Sequence, residues 1–178
     1  MNDSGEGPRT DAQDPSDNHH LIVEAEGLTV RYQGSESQAL KGIDLELERG
    51  EAVALVGHTG AGKSTLLKCL NGLIPNFQRC ELTGSLNVYG LIPREHGVSE
   101  LAGAVGIVFQ EFENQLFSTN VEQEVAFGPE NLGVEPGEIR ARIKECLEFV
   151  GLAGFENREP AALSGGEKQR LAIASVLA

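Results

Sequence analysis

The chain has 178 residues, 40% hydrophobic and 23% charged, enough for one domain with a sizeable buried core. A formal net charge of −13 argues against nucleic acid or an anionic membrane surface as a partner, since both would repel it. No apolar run approaches the ~18 residues of a membrane span, and Cys69, Cys80 and Cys146 lie far apart with no C-x-x-C pair, the pattern of reduced thiols in a cytosolic protein.

Residues 1–20 are rich in Asp, Asn, Ser, Gly and Pro and carry almost nothing apolar, which predicts a disordered acidic tail. His19 and His20, adjacent and without further ligands, read as solvated. From Leu21 the pattern changes. Leu21–Glu26 and Leu28–Tyr32 read as strands, a polar loop follows at Gln33–Gln38, and Ile43, Leu45 and Leu47 alternate with Asp44, Glu46 and Glu48. No helical stretch separates these segments, so they predict an antiparallel layer attached to a parallel core.

The next stretch organises the rest. Gly57-His58-Thr59-Gly60-Ala61-Gly62-Lys63-Ser64 fits G-x-x-x-x-G-K-[ST] at every fixed position, with Thr65 following. The apolar run Ala52–Val56 before it predicts a buried strand; Thr65–Asn71 after it predicts a helix closed by Gly72. The glycines let the backbone curl so that successive N–H groups converge on phosphate oxygens, and the helix adds its positive end. Lys63 supplies a point charge for the outer phosphates. Ser64 is placed to ligate Mg²⁺, and Thr65 adds a hydroxyl toward an inner phosphate.

Beyond this helix come a loop at Ile74–Phe77, a strand at Gly84–Gly90 and a core strand at Ala104–Phe109 that ends in Gln110. Val121–Phe127 predicts a short helix stopped by Gly128-Pro129. Pro136 opens another, with Ile139, Ile143, Cys146, Leu147 and Val150 on one face and Gly151 as its stop. Leu163-Ser164-Gly165-Gly166-Glu167-Lys168-Gln169-Arg170 starts a further helix, with Ser164 and Glu167 forming a capping box. Two glycines in that first turn cost roughly 1 kcal/mol each relative to alanine. Bare backbone at a helix start is what close approach to an anion demands.

Leu163–Gln169 resembles the signature motif of ABC-type ATPases, and Gln110 at a strand end resembles their Q-loop. The stretches Val108-Phe109-Gln110, Gln115-Leu116-Phe117 and Val125–Gly133 are similar to the ATPase subunits of energy-coupling factor importers, which power uptake of vitamins or of cobalt and nickel ions. The resemblance runs from about Leu21 to the last residue. It implies an α/β fold: a P-loop NTPase core with an N-terminal antiparallel β layer and an inserted helical subdomain at about 111–166.

The resemblance also implies that two ATPase subunits, identical or different, sandwich two ATP molecules head to tail. Residues 57–65 would hold the phosphates and Mg²⁺, and Tyr32 is similar in placement to the aromatic residue that stacks on adenine, with an ordinary strand-end tyrosine as the competing reading. Ser164, Gly165, Gly166 and Glu167 would reach the γ-phosphate of ATP on the opposite subunit; Glu167 stands where many members have Gln. Gln110 would sense Mg²⁺ or the attacking water and report to a transmembrane subunit, with Phe112 and Phe117 as interface anchors or as core residues. The protein would sit on the cytoplasmic face of the membrane through that partner, without inserting itself.

The family's next element is an apolar strand ending in Asp-Glu, beside the phosphate-loop strand, followed by a D-loop and a switch histidine. None lies within the 178 residues; Val105–Phe109 before Gln110-Glu111 has Gln in the first acidic place. The expectation is an incomplete chain. Without that carboxylate, hydrolysis should be slower by ~10²–10⁴-fold, and a buried apolar sheet edge should be bare. Two further readings fit the motifs: a non-catalytic nucleotide-binding partner supplying a signature helix, and a soluble ABC-type ATPase without a membrane subunit.

Overall fold

The computed structural model describes residues 21–178; the predicted tail, with His19 and His20, lies outside the described residues. Three strands, β1 (Leu21–Tyr32), β2 (Leu40–Glu48) and β3 (Cys80–Val88), form an antiparallel sheet in the order β2-β1-β3. The two strands predicted at 21–26 and 28–32 are one strand. The break between them survives as register shifts on both sides of Gly27, whose φ of 57° places it in the left-handed region. Alternation selects the buried face. Val23, Ala25, Leu28 and Val30 from β1 join Leu86 and Val88 from β3 in a core, which α1 (Lys63–Leu70) completes with Leu66 and Cys69. The predicted antiparallel layer is therefore present.

The predicted loop at Ile74–Phe77 lies largely in a short helical turn, α2 (Leu73–Asn76), and α3 (Val98–Ala102) follows β3. A second core lies among α4 (Val121–Asn131), α5 (Pro136–Phe149) and α6 (Gly165–Leu177). Ile139, Ile143, Cys146 and Leu147 of α5 are buried as their spacing predicts, and Gly151 (φ 71°) follows the helix end. Full burial of a residue such as Leu147 contributes roughly 1.5–3 kcal/mol, so α5 is held by its stripe rather than by propensity.

α4 departs from expectation: it continues through Gly128-Pro129 to Asn131. A residue before proline avoids the helical region because its Cβ meets the proline ring. Gly128 has no Cβ, so the helix passes. The same bare position lies against α6, where an added Cβ would come within 3.6 Å of the Ser175 carbonyl oxygen. Pro129 is fully buried, and the helix closes at Gly133, where Val134 N–H reaches back to the Pro129 carbonyl at 3.0 Å.

The two predicted core strands also differ. Ala52–Val56 and Ala104–Phe109 are not part of any ladder among the described residues. Val56 is 85% exposed. The reason is physical: a parallel strand draws its hydrogen bonds from neighbours and its burial from helices on both faces. Among the described residues the only ladders are the antiparallel ones of β1.

Candidate nucleotide site

The phosphate-loop sequence leads directly into α1, whose N-cap is Gly62 in a left-handed conformation (φ 93°). A Cβ at Gly62 would overlap the Ala39 carbonyl oxygen and crowd the Leu40 side chain, so glycine is required both by conformation and by space. The β2 start is thus the floor on which the loop rests. Gly57, His58, Thr59, Gly60 and Ala61 arc over the helix start and are exposed. Among the described residues the amides of Gly60, Gly62, Lys63 and Ser64 have no protein acceptor. These are the orphan donors of a helix N-terminus, open to an anion.

Lys63 folds back over this arc: its Nζ donates to the carbonyls of Gly57 at 2.8 Å and His58 at 2.9 Å. Both bonds are to exposed backbone, so a phosphate could take the ammonium without leaving a buried group unpaired. Ser64 is exposed and its hydroxyl is unengaged among the described residues, which suits a Mg²⁺ ligand. Thr65 differs: it is buried, and its hydroxyl lies 3.0 Å from the Tyr32 hydroxyl. That bond joins the end of β1 to the first turn of α1. Beside Tyr32 opens a cavity of about 640 Å³, also lined by Gln33, Pro75, Arg79 and Cys80.

Behind α1, Cys69 is fully buried, and burial first, then the neighbouring Cys80, pushes its thiol up to about 12. It is a core residue. A thiol that stays protonated at neutral pH neither attacks nor binds metal readily.

The second predicted site opens α6. Ser164 is its N-cap: its hydroxyl accepts from Glu167 N–H at 3.4 Å, while the Glu167 carboxylate accepts from both the Ser164 amide and hydroxyl at 2.7 Å. The capping box exists as predicted. Gly165 and Gly166 are exposed, and a Cβ on either would meet nothing within 4 Å. Among the described residues, nothing requires glycine at these two positions.

The bonds from the Ser164 hydroxyl and then its amide hold the Glu167 carboxyl below the usual glutamate value of 4.5. A lowered folded-state pKa means the cap's contribution is complete above the ordinary carboxylate value and is lost as pH falls through the lowered one. Thermal midpoints measured on acidification below 4.5 should therefore fall less steeply in Glu167→Gln than in the unaltered protein. Equal slopes would show that the box does not act on the folding equilibrium.

Gln110 lies in an exposed turn after residues 104–109. A 3₁₀ turn follows at Phe112–Gln115. Of the two candidate anchors, Phe112 is half-buried and Phe117 is 64% exposed, packed edge-on against Phe127 with centroids 4.7 Å apart. The Phe117 loop is held from beneath. Glu124 of α4, buried, accepts from the amides of Phe117 at 3.0 Å and Ser118 at 2.7 Å. Nothing in the sequence marks Glu124, because an acid in a helix turn normally faces water.

Residues 40–178 match the ABC transporter family. A protein of Caldanaerobacter subterraneus, provisionally named an ABC transporter ATP-binding protein, is 53% identical over 85% of this chain and 27% of its own length. A protein of Pyrococcus horikoshii with the same provisional name is 48% identical over 88% of this chain and 55% of its own. Among solved structures, CbiO1 of Clostridium perfringens, part of the ABC transporter complex CbiONQ, superposes with a TM-score of 0.76 at 36% identity. That match covers 89% of this chain and 61% of CbiO1. This chain therefore spans about a quarter to just over half of these two relatives. A glycine-rich loop opening α1 on an antiparallel layer, a capped glycine pair opening α6, and a family match over 139 residues from Leu40 onward lead to one conclusion: the chain belongs to the ABC transporter family.

Proposed function

We propose that this chain is the ATP-binding part of an ATPase subunit that powers an importer of the energy-coupling factor type, moving a vitamin or a metal ion. The observation that carries this is the pair of open helix starts. The α1 start offers unpaired amides and Lys63; the α6 start offers Gly165 and Gly166 with open space where side chains would be. Only the first is built to cradle a triphosphate within one subunit. The second has backbone bared toward the outside, which suits the nucleotide of a neighbouring copy or partner ATPase.

In this reading Gly57–Thr65 enclose the phosphates, Lys63 leaves its loop carbonyls for the γ-phosphate, and Tyr32 stacks on adenine in the adjoining cavity. Ser64 and Gln110 would hold Mg²⁺, which neutralises charge on the phosphates. Ser164, Gly165, Gly166 and Glu167 complete the γ-phosphate shell from across the dimer. Phosphoryl transfer to water depends on positioning and charge stabilisation, so a second subunit that places donors contributes directly to rate. Phe117, on the loop held by Glu124, and the helical subdomain of about 111–166 face the transmembrane partner. CbiO1, a structural relative, is part of the ABC transporter complex CbiONQ, and among the described residues no helix is long and apolar enough to cross a membrane.

The test is to purify the intact protein with whatever membrane subunit accompanies it and measure MgATP binding, turnover and nucleotide-dependent dimerisation. MgATP is expected to drive dimerisation and to be hydrolysed in the complex. A monomer that ignores MgATP, or an active enzyme found with no membrane subunit, would refute the importer reading.

A further inference from the structure

The Gln115 side chain makes an unusual pair of bonds. Its Oε1 accepts from Phe109 N–H at 2.8 Å and its Nε2 donates to the Ile107 carbonyl at 3.2 Å. The carbonyl of one residue and the amide of the residue two further on are the groups that a parallel neighbour strand would engage through the N–H and C=O of a single residue. A primary amide carries the same donor and acceptor side by side. Gln115 therefore stands in for a strand neighbour along Ile107–Phe109, immediately before Gln110.

The turn that carries Gln115 is anchored at its other end. Glu113 Oε1 accepts from Lys168 Nζ at 3.2 Å, and Lys168 follows Glu167 of the capping box in α6. The Lys168 side chain is 22% exposed and that of Glu113 58%, so the pair lies at the surface with its lysine end partly covered. One four-residue turn thus touches both the segment that ends in Gln110 and the helix that opens with Gly165-Gly166. It also leads directly into the loop of Phe117.

We infer that Gln115 is a positioning residue for Gln110. Its side-chain amide fixes the end of the Gln110 segment, and the Glu113–Lys168 pair ties that end to the glycine-bearing helix start, so a push on the Phe117 loop moves both together. The inference rests on the proposed role of Gln110 at the nucleotide. Gln115 itself touches neither nucleotide nor metal in that role, so its loss should spare binding and reduce turnover.

The experiment uses the intact ATPase with its partner subunits and compares Gln115→Ala and Gln115→Glu with the unaltered protein. For both variants kcat should fall about tenfold at pH 8, the scale of two neutral hydrogen bonds, while KM for MgATP stays within about twofold. Gln115→Glu supplies a second signature. Ionised, its carboxylate still accepts from Phe109 but opposes the Ile107 carbonyl; protonated, it regains the donor. Its turnover relative to the unaltered protein should therefore rise as pH falls toward 6, and that of Gln115→Ala should not.

Amide exchange at Phe109 should be about tenfold faster in Gln115→Ala and little changed in Gln115→Glu, a reading that holds even where turnover is compromised by stability. Unchanged kcat in both variants, or unchanged Phe109 exchange in Gln115→Ala, would overturn the inference while leaving the nucleotide reading intact. Absence of MgATP binding in the unaltered complex would remove both.

Discussion

Lys63→Ala is expected to lower ATP turnover of the intact complex by about 10²–10³-fold, the scale found when one preorganised donor to a transition-state charge is removed. The fold should not change with it. Among the described residues Lys63 Nζ bonds only to the exposed carbonyls of Gly57 and His58, groups that water satisfies as well. The thermal midpoint without nucleotide should thus stay near that of the unaltered protein, while the rise in midpoint on adding MgATP shrinks, because ligand stabilisation scales with affinity. The measurement is a pair of melting curves, with and without MgATP, alongside steady-state kinetics. A variant that melts early without ligand would make Lys63 a structural residue. One that hydrolyses normally would remove the phosphate loop from the mechanism.

Gly166→Ala is expected to separate stability from activity in opposite directions. Within the chain a Cβ at this position meets open space, and Gly166 is not among the residues with positive φ. Alanine should therefore stabilise the first turn of α6, by up to about 1 kcal/mol. Across a nucleotide sandwich the same methyl would hold the amides away from the γ-phosphate, and turnover should fall by about 10²-fold. If activity is unaffected, no nucleotide approaches this helix start; if stability falls, the glycine is needed by its own subunit. Gly62→Ala is the internal contrast, since its Cβ would collide with Ala39 and its left-handed φ would be strained.

Both experiments draw on features of different legibility. The phosphate loop, its helix, the capping box and the α5 stripe could be read in advance because each is local. Residues within one or two turns impose the φ values, the cap bonds and the spacing of apolar side chains. The stop predicted at Gly128-Pro129 failed for a local reason too, since the missing Cβ that marks a break elsewhere is what lets α4 continue.

By itself, the sequence determined where a glycine-rich turn opens a helix, which helix starts carry bare glycine backbone, and which family the motifs belong to. The tertiary structure alone decided what those motifs lean on. Ala39 beneath Gly62, Tyr32 against Thr65, Glu124 under the Phe117 loop and Gln115 along Ile107–Phe109 appear only once the chain is folded. It also decided that Ala52–Val56 and Ala104–Phe109, apolar enough to be core strands, stand outside any ladder among the described residues. Hydrophobicity marks a segment for burial, but a parallel strand exists only through the neighbours that bond its backbone, and no property of the segment itself supplies them.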